Sequence, residues 1–403
     1  MKKFISVLFF VLVVCSFTAC EQEQVMTENS ESKSQNTHFE DEFTLSNEAL
    51  PIYNIHNEKI GEIDHFGFVI QTHDSIVYTK IRTDATTSVI EMDYYRYLIN
   101  TKENIMLGTV KGWSQQSTEV VYLDNHLYSM VMTGDVTSKE SRTLKLLDVN
   151  LNNNSLSEVF SEKGGFPYNS MVGVGEKLLI AKVLSNGSCV DEYNIRTKEF
   201  KTLIKFDFND KTTVGEAIRQ ICADDNTISL MMLVKETPDS VKLRVDVYDH
   251  NMQYMRSVDT TDISSVPNER RQGISNFQFS DGNLYYENFS ITRFLGTATN
   301  NQLLKTIDTN DTFAMATETE NNKFKVFYQS FSQDNNYLYL WNTETGALLK
   351  GEFYADDRRY YIINMTRDSN DNCLITMYYR AKDSDEKLVP RLYYINLSEI
   401  NFE

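Results

Sequence analysis

Apolar and polar residues alternate in short runs along most of the chain, and many runs follow a corner rich in Asp, Asn and Gly. In "SDGNLYY" (280–286), for example, the polar corner precedes apolar positions at Leu284 and Tyr286. Alternation with a period of two predicts β-strands, and these corner residues adopt hairpin-turn geometry at low energetic cost. No convincing amphipathic helix interrupts the pattern, so the fold class is predicted to be all-β.

The corner recurs with a period near 50 residues. Aligned on the first apolar residue after each corner, the anchors are Ile76, Leu127, Leu178, Ile228, Leu284, Phe324 and Leu374. The steps between them are 51, 51, 50, 56, 40 and 50 residues. A strand, polar turn and strand follow every anchor, as in "YLINTKENIML" (97–107). Each unit therefore holds four short strands, which with their turns need about 40–50 residues.

Four-stranded units with this period predict a β-propeller. Packing such blades in a ring lets a core grow in modules beyond about 250–300 residues, where single cores stop growing. Seven anchors predict seven blades, and six blades are the alternative because the steps around Leu284 are irregular. The last unit ends at "RLYYINLSEINFE" without a fourth strand, so residues 52–64 are expected to supply that strand and close the ring.

This blade rhythm resembles bacterial β-propeller lipoproteins, including TolB-like and quinoprotein-like families. The resemblance covers roughly residues 50–403 and rests on rhythm, without the G-H and W-D pair of WD repeats or the sialidase box. It implies one propeller domain over 50–403.

The N-terminus has the pattern of an export signal. Lys2 and Lys3 precede an apolar run that is too short to span a bilayer, which needs about 20 helical residues. "FTAC" resembles a bacterial lipobox, which implies cleavage before Cys20 and a lipid on its thiol; an ordinary cleaved signal with an incidental Cys20 is the alternative. Residues 1–19 are then the signal peptide, and 20–49 a lipidated, acidic and disordered tether. The protein is expected to be exported and lipid-anchored to a bacterial membrane on its extracytoplasmic side.

The net charge and the composition of the chain argue against several classes of partner. The net charge of −18 argues against a nucleic-acid partner, which requires a basic surface. In the mature chain Cys189, Cys222 and Cys373 form no C-x-x-C pair and are expected to be small strand residues. No catalytic, phosphate-binding or dinucleotide-binding motif is present, and the six histidines show no convincing metal-ligand spacing. Neither a cofactor nor a metal is expected.

Recognition is expected on the loops that enter the innermost strand of each blade, because these loops surround one mouth of the channel. Their candidate ligand-binding residues are Trp113, Phe166, Tyr168, Arg219, Arg270, Arg271, Arg358, Arg359 and Tyr360. Arginine binds carboxylate or phosphate with two hydrogen bonds, and aromatic faces stack on sugars or peptides. The alternative is that the arginines only pair with neighbouring acids such as Glu269, Asp356 and Asp357.

These features favour a non-enzymatic binding or interaction module for a protein, peptide or glycan. Two alternatives remain open: a propeller enzyme of the lyase or glycosidase type acting on a carbohydrate, and a structural component of an envelope assembly. An enzyme would need groups that converge on one mouth, and an assembly component would need an exposed apolar face.

Overall fold

The computed structural model describes residues 49–64, 69–72, 74–83, 90–135, 141–164, 169–184, 187–207, 215–223, 226–237, 240–259 and 389–403, and ten strands between 274 and 381. In these residues the structure consists of β-strands, turns and one short 3-10 turn at Leu397–Glu399, which confirms the all-β prediction. This part of the chain has no helix long and apolar enough to cross a membrane. The predicted signal peptide, Cys20 and the tether up to residue 48 lie outside it.

The strands of the described residues form seven antiparallel or mostly antiparallel sheets. Sheet 1 contains β3 (Val69–Gln71), β4 (Ser75–Thr83), β5 (Ile90–Leu98) and β6 (Glu103–Lys111). Sheet 2 contains β7 (Trp113–Leu123), β8 (His126–Thr133), β9 (Thr143–Asn150) and β10 (Ser155–Lys163). Sheet 3 contains β11 (Asn169–Val174), β12 (Lys177–Leu184), β13 (Gly187–Asn194) and β14 (Phe200–Asp207).

Sheets 4 to 6 continue the same order along the chain. Sheet 4 contains β15 (Gly215–Ala223), β16 (Thr227–Thr237), β17 (Ser240–Asp249) and β18 (Tyr254–Asp259). Sheet 5 contains β19 (Ile274–Ser280), β20 (Asn283–Asn288), β21 (Arg293–Thr299) and β22 (Gln302–Thr309). Sheet 6 contains β23 (Thr312–Glu318), β24 (Phe324–Ser330), β25 (Tyr337–Asn342) and β26 (Leu348–Glu352).

Sheet 7 combines both ends of the chain. It contains β27 (Arg358–Arg367), β28 (Asn372–Ala381) and β29 (Val389–Asn396), followed outward by β1 (Leu50–Tyr53) and β2 (Lys59–Ile63). β1 pairs in parallel with β29, with Ile52 opposite Leu392, and β2 pairs antiparallel with β1. Two N-terminal strands therefore join this sheet where one was expected, because β2 returns the chain to the end at which β3 begins.

Each of the seven anchors lies in the second strand of its sheet, from Ile76 in β4 to Leu374 in β28. The irregular steps around Leu284 come from connections of different length. The connection between β18 and β19 spans 260–273, which lengthens one step, whereas only 310–311 joins β22 to β23, which shortens the next.

Neighbouring sheets pack face to face through apolar side chains. Sheets 1 and 2 share a cluster that includes Met92 and Leu127, and sheets 2 and 3 share one that includes Leu146 and Ile180. Sheets 3 and 4 pack in the same way. Further contacts join β15 to β19, β20 to β23, β23 to β27, and β27 to β3. Each sheet thus contacts the next in chain order, and sheet 7 contacts sheet 1.

The connections between strands differ at the two ends of the sheets. At one end, called the tight-turn end, no connection exceeds five residues, as in 195–199. An Asn or Asp there caps several turns: the side chain of Asn194 accepts hydrogen bonds from the backbone amides of Arg196 and Thr197 at 3.0 and 2.9 Å. The opposite end, called the long-connection end, includes 84–89, 134–142, 208–214, 260–273 and 382–388. It is also the end at which the first strand of each sheet begins.

Candidate functional site

Five of the nine predicted site residues lie in strands that the structure describes. Trp113 begins β7, Arg219 lies within β15, and Arg358, Arg359 and Tyr360 begin β27. These residues were predicted to lie in loops, but Trp113 and the β27 residues are in strand starts at the long-connection end, and Arg219 is the fifth residue of its strand. The remaining four, Phe166, Tyr168, Arg270 and Arg271, lie outside the described residues.

Trp113 is deeply buried at its strand start. Its side chain is 4% exposed and packs in the cluster between sheets 1 and 2. Its indole Nε1 has no hydrogen-bond partner in the described part of the chain. A ring that stacks on a ligand needs an open face, so this burial favours packing, and the predicted ligand contact stays a prediction.

The pairing of β27 with β28 adds an arginine that sequence reasoning missed. Arg359 lies directly opposite Arg380, Arg358 lies opposite Ala381, and Tyr360 lies opposite Tyr379. Opposed like charges in a sheet repel each other unless an anion or a carboxylate lies between them. The only signal for Arg380 would have been the register of this hairpin, which the sequence does not specify residue by residue.

Sheet 7 has an unusual distribution of charge for an acidic protein. Strands β27, β28 and β29 contain no Asp, Glu or Lys. They contain five arginines, Arg358, Arg359, Arg367, Arg380 and Arg391. The acids of this region fall instead in the connections 353–357, 368–371 and 382–388. These three strands are therefore basic in composition, in a chain whose net charge is −18.

Arg391 belongs to the contacts that hold β1 on sheet 7. Its guanidinium carbon lies 4.7 Å from the centre of the Tyr53 ring, a cation–π arrangement. Tyr53 stacks on Tyr393 at 5.6 Å between centroids, and the Tyr393 hydroxyl donates to Asn57 Oδ1 at 3.0 Å. This arginine therefore stabilises the packing of β1.

A buried aspartate recurs on the third strand of sheets 1 to 4. The four are Asp93, Asp148, Asp191 and Asp246. Each lies opposite a Thr or Ser of the fourth strand: Thr109, Ser157, Thr202 and Ser257. Three of these hydroxyls donate to the carboxylate, at 2.6 Å from Thr109, 2.8 Å from Thr202 and 2.5 Å from Ser257.

Each of these aspartates also has a basic partner. The nitrogen-to-oxygen distances are 2.6 Å for Arg82 with Asp93, 2.6 Å for His126 with Asp148, 2.6 Å for Lys182 with Asp191, and 2.7 Å for Arg244 with Asp246. Removing one partner of a buried ion pair is strongly destabilising, because it leaves an uncompensated charge. The pairs therefore fix the position of these carboxylates within sheets 1 to 4.

The buried surroundings of Lys182 and Cys189 shift the pKa of each side chain. Lys182 is 7% exposed and joins Glu162 of sheet 2 to Asp191 of sheet 3, at 2.7 and 2.6 Å. Burial alone would lower its pKa, but hydrogen bonds and charge from the two carboxylates raise that pKa above its usual value. Burial raises the pKa of the neighbouring Cys189 thiol to about 11, so this cysteine is protonated and unreactive at neutral pH.

The described residues contain no candidate metal centre. None of their His, Cys, Asp and Glu side chains form a group of three that could hold a metal ion. Cys189 and Cys373 are buried and Cys222 is partly buried, as expected from their strand positions. The strand register also brings together the positions of Arg359 and Arg380, called the arginine rung, near the long-connection end of sheet 7.

Sequence comparison assigns no family. No protein-family model matches the chain, and no curated protein matches it. The fold is similar to that of a prolyl endopeptidase, with a TM-score of 0.50 and 11% identity, over 79% of this chain and 48% of the other. The chain thus spans about half the length of that endopeptidase.

Other solved structures with a similar fold include a β-propeller domain and a lyase. The β-propeller domain of the Trilobed protease from Pyrococcus furiosus has a TM-score of 0.49 and 10% identity, over 80% of this chain and 96% of that domain. Oligogalacturonate lyase from Vibrio parahaemolyticus has a TM-score of 0.44 and 12% identity, over 81% and 97%. The neighbours therefore include peptidases and a lyase. At these identities the likeness concerns the fold and assigns no activity.

Proposed function

We propose that the chain is a seven-bladed propeller in which each sheet is a blade and the β1–β2 hairpin closes the ring. The proposal is supported by the contacts of each sheet with the next, including β27 and β28 of sheet 7 with β3 of sheet 1. It is also supported by the shared core of Leu50, Ile52 and Ile63 with residues of both sheets. Six blades would leave one of the seven four- or five-stranded sheets without a place in the ring.

The function we infer is that of a binding module, held outside the cytoplasm by a lipid on Cys20. One observation carries this inference: all the longer connections lie at one end of the sheets, while the other end is closed by tight turns. A rigid scaffold with elaborated loops on one side is the usual arrangement of a recognition surface. The ligand is a protein, a peptide or a glycan with negative charge, contacted by Arg270, Arg271, Arg358 and Arg359.

Two double variants test the arginines, Arg270→Ala with Arg271→Ala and Arg358→Ala with Arg359→Ala. The matched control is Arg196→Ala with Lys201→Ala, which removes two exposed positive charges at the tight-turn end. Affinity for oligogalacturonate, heparin and poly-L-glutamate is measured by calorimetry. We expect each arginine variant to weaken the best probe about tenfold or more, since charge-assisted hydrogen bonds contribute about 1.5–3 kcal/mol.

The control variant should bind like the parent. The proposal fails if no probe binds the parent, or if the control weakens binding as much as the arginine variants do. Depolymerisation of a glycan probe by the parent would instead support the enzyme alternative. Melting curves of all variants separate a loss of binding from a loss of fold.

A further inference from the structure

Residues 400–403 lie on the edge of sheet 6, although the preceding strand β29 belongs to sheet 7. The chain leaves β29 through the 3-10 turn Leu397–Glu399 and places Phe402 opposite Gly351 in an antiparallel bridge. Gly351 belongs to β26, which is the last strand in the order of sheet 6. Residues 400–403, called the strap, therefore cover part of a sheet edge that would otherwise present its backbone groups to solvent.

Two backbone hydrogen bonds join the strap to β26. The Lys350 amide donates to the main-chain oxygen of Glu403 at 2.8 Å, and the Glu403 amide donates to the Lys350 carbonyl at 3.0 Å. The two residues thus form a closed antiparallel pair. Both residues are exposed, and opposite charges that face each other across two strands attract. The strap therefore continues the sheet as a short added strand.

Gly351 provides a seat for two side chains of the strap. A Cβ at this position would lie 2.6 Å from Ile400 Cγ2 and 2.6 Å from Phe402 Cδ1. Gly351 is buried, Ile400 is 6% exposed and Phe402 is half-buried. The φ of Gly351 lies outside the left-handed region, so the close approach of the strap explains this glycine and turn geometry does not.

The strap uses only part of the available edge. β26 has five residues, Leu348–Glu352. In the described part of the chain the strap pairs with Lys350 and Gly351. Closed pairs recur at every second residue of an antiparallel ladder, so the next one toward the tight-turn end falls at Leu348. A longer strand in the same register would therefore make more backbone hydrogen bonds than the strap makes.

We propose that the edge of β26 at Gly351 is a docking site for an extended peptide of another protein, and that the strap occupies this site until the peptide displaces it. The peptide adds to sheet 6 as a further strand, the recognition mode called β-augmentation. The strap specifies its chemistry: an aliphatic residue, any residue, an aromatic residue and an acidic residue, in that order. The aliphatic and aromatic side chains replace Ile400 and Phe402 at the seat, and the acidic side chain lies opposite Lys350.

Charge and competition define the partner further. Two copies of this chain, each with a net charge of −18, repel one another, which favours a different protein as the source of the peptide. An internal segment competes at an effective concentration in the mM range, so the peptide must gain affinity from extra pairs such as the one at Leu348. The site goes beyond the proposed function, since it lies on sheet 6 and does not include the arginine rung.

The first experiment tests whether the strap competes with a peptide. The probe is a fluorescein-labelled peptide of residues 396–403, and its affinity for the mature chain is measured by anisotropy. Phe402→Ala should raise this affinity about tenfold or more, because the internal competitor loses its aromatic contact. Asn401→Ala is the matched control, since Asn401 is exposed and lies between the two seated side chains, and it should bind the probe like the parent. Equal affinity in all three chains, or no binding to any of them, overturns the inference.

The second experiment locates the peptide by hydrogen exchange at the Lys350 amide. This amide donates to the strap in the parent and should be protected there. Deletion of 400–403 should speed its exchange about tenfold or more, and addition of the peptide should restore protection. Peptide binding that leaves Lys350 unprotected overturns the inference.

Two substitutions test the seat in the deletion variant. Gly351→Val should prevent peptide binding, because the added side chain occupies the space of the aliphatic and aromatic residues. If melting curves show that Gly351→Val unfolds the domain, the seat is tested from the other side: a peptide carrying Phe402→Ala should bind the deletion variant about tenfold more weakly than the unaltered peptide. Equal affinity of the two peptides contradicts a seat at Gly351.

Sedimentation of the deletion variant distinguishes the source of the peptide. Dimers that form without the peptide and dissociate when it is added would assign the edge to a second copy and overturn the assignment to another protein. A failure of this inference leaves the proposed anion binding intact, because that proposal is measured on other residues: Arg270, Arg271, Arg358 and Arg359.

Discussion

Arg96 links two sheets through hydrogen bonds to a set of fixed acceptors. Its side chain is 9% exposed and donates to Ser75 and Asp74 of sheet 1, and to the Leu151 carbonyl and Asn154 of sheet 2, at 2.6–2.9 Å for the shortest bond to each. Leu151 and Asn154 belong to a turn of sheet 2. The arginine therefore fixes the position of sheets 1 and 2 relative to each other at the tight-turn end. Its hydrogen bonds are directional, whereas apolar contacts are not.

The carboxylate of Asp74 should make stability depend on pH. Burial would raise its pKa, but hydrogen bonds from Arg96 and Ser75 and the charge of Arg96 lower the pKa below its usual value. A group with a lowered folded-state pKa stabilises above its unfolded pKa of about 3.9, and that contribution disappears as the pH falls through the folded value. Because the side chain is half exposed, the effect should be below about 1 kcal/mol.

Asp74→Asn measures this contribution. The difference in unfolding free energy between the parent and the variant should be constant above about pH 5 and should shrink to zero as the pH approaches 2. Urea denaturation across this range provides the measurement. Glu58→Gln, in an exposed turn, is the control. A difference that grows toward low pH would contradict the prediction.

Gly61 lies where no side chain fits. A Cβ at this position would be 2.1 Å from the Tyr97 hydroxyl and 2.9 Å from Cζ of the same ring. Gly61→Ala should therefore lower the unfolding free energy by about 1–3 kcal/mol, because the ring of Tyr97 must move within a packed core.

Tyr97→Phe in the same chain should recover part of that loss by removing the closest atom. Gly175→Ala is a useful contrast, since its Cβ would meet nothing within 4 Å and only its φ of 58° opposes substitution. Thermal melts of Gly61→Ala, Tyr97→Phe, their combination and Gly175→Ala test the pair. An equal loss with and without Tyr97→Phe would show that the clash is not the cause.

At the scale of the elements, the β1–β2 hairpin is attached to the domain mainly by its buried side chains and less by backbone pairing. Its register with β29 includes two residue pairs, Ile52 with Leu392 and Tyr53 with Tyr393. Leu50, Ile52 and Ile63 are each at most 3% exposed and share a core with sheets 1 and 7. Hydrophobic burial therefore provides most of its attachment.

Deletion of residues 50–64 should lower the melting temperature by about 10 °C or more. Each buried aliphatic side chain contributes about 2–4 kcal/mol, and at this size 1 kcal/mol corresponds to about 2 °C. The control deletion is 401–403, whose Glu403 makes two backbone hydrogen bonds with Lys350 at 2.8 and 3.0 Å and which should cost less. A hairpin deletion that melts with the parent would contradict a closing role.

The repeat of the second strands could be predicted from the sequence, but the recurring aspartates could not. The second strands follow short polar corners, so their anchors keep a visible period. The recurring aspartates lie 17, 21, 13 and 18 residues after their anchors, from Ile76 to Asp93, Leu127 to Asp148, Leu178 to Asp191 and Ile228 to Asp246. These offsets vary because the connections between second and third strands differ in length, for example 134–142 against 185–186. No fixed spacing could therefore reveal them.

The candidate site was predictable only where it depends on strand order. The position of Arg358 and Arg359 at the start of a first strand follows from the repeat. The opposition of Arg359 and Arg380 depends on the register, including a bulge between Ile362 and Asn364. A one-residue change in register would place these residues on different faces. Similarly, the parallel pairing of β1 with β29 depends on tertiary contacts, which the local alternation of apolar and polar residues does not encode.

At the scale of the whole molecule, charge and topology act together. The net charge of −18 is distributed so that strands β27–β29 contain arginines and no acids, while residues 21–49 are acidic. Leu50 and the longer connections lie at the same end of the sheets. With the proposed lipid on Cys20, the recognition surface would stay within about 100 Å of the membrane, because a fully extended chain spans at most about 3.3–3.6 Å per residue between Cys20 and Leu50. Partners of that surface should then be sought among components at the same membrane.

The anchor itself is tested by exchanging single cysteines in the N-terminal segment. Cys20→Ala should abolish incorporation of labelled palmitate and release the protein into the soluble fraction, because the proposed lipid is attached to that thiol. Cys15→Ala removes a cysteine from the apolar run five residues earlier and should leave lipid labelling and membrane association unchanged. Two or more acyl chains hold a protein stably on a bilayer, whereas one is marginal, so fractionation should be nearly complete in each direction. Equal membrane association of both variants would contradict lipidation of Cys20 and favour an ordinary cleaved signal.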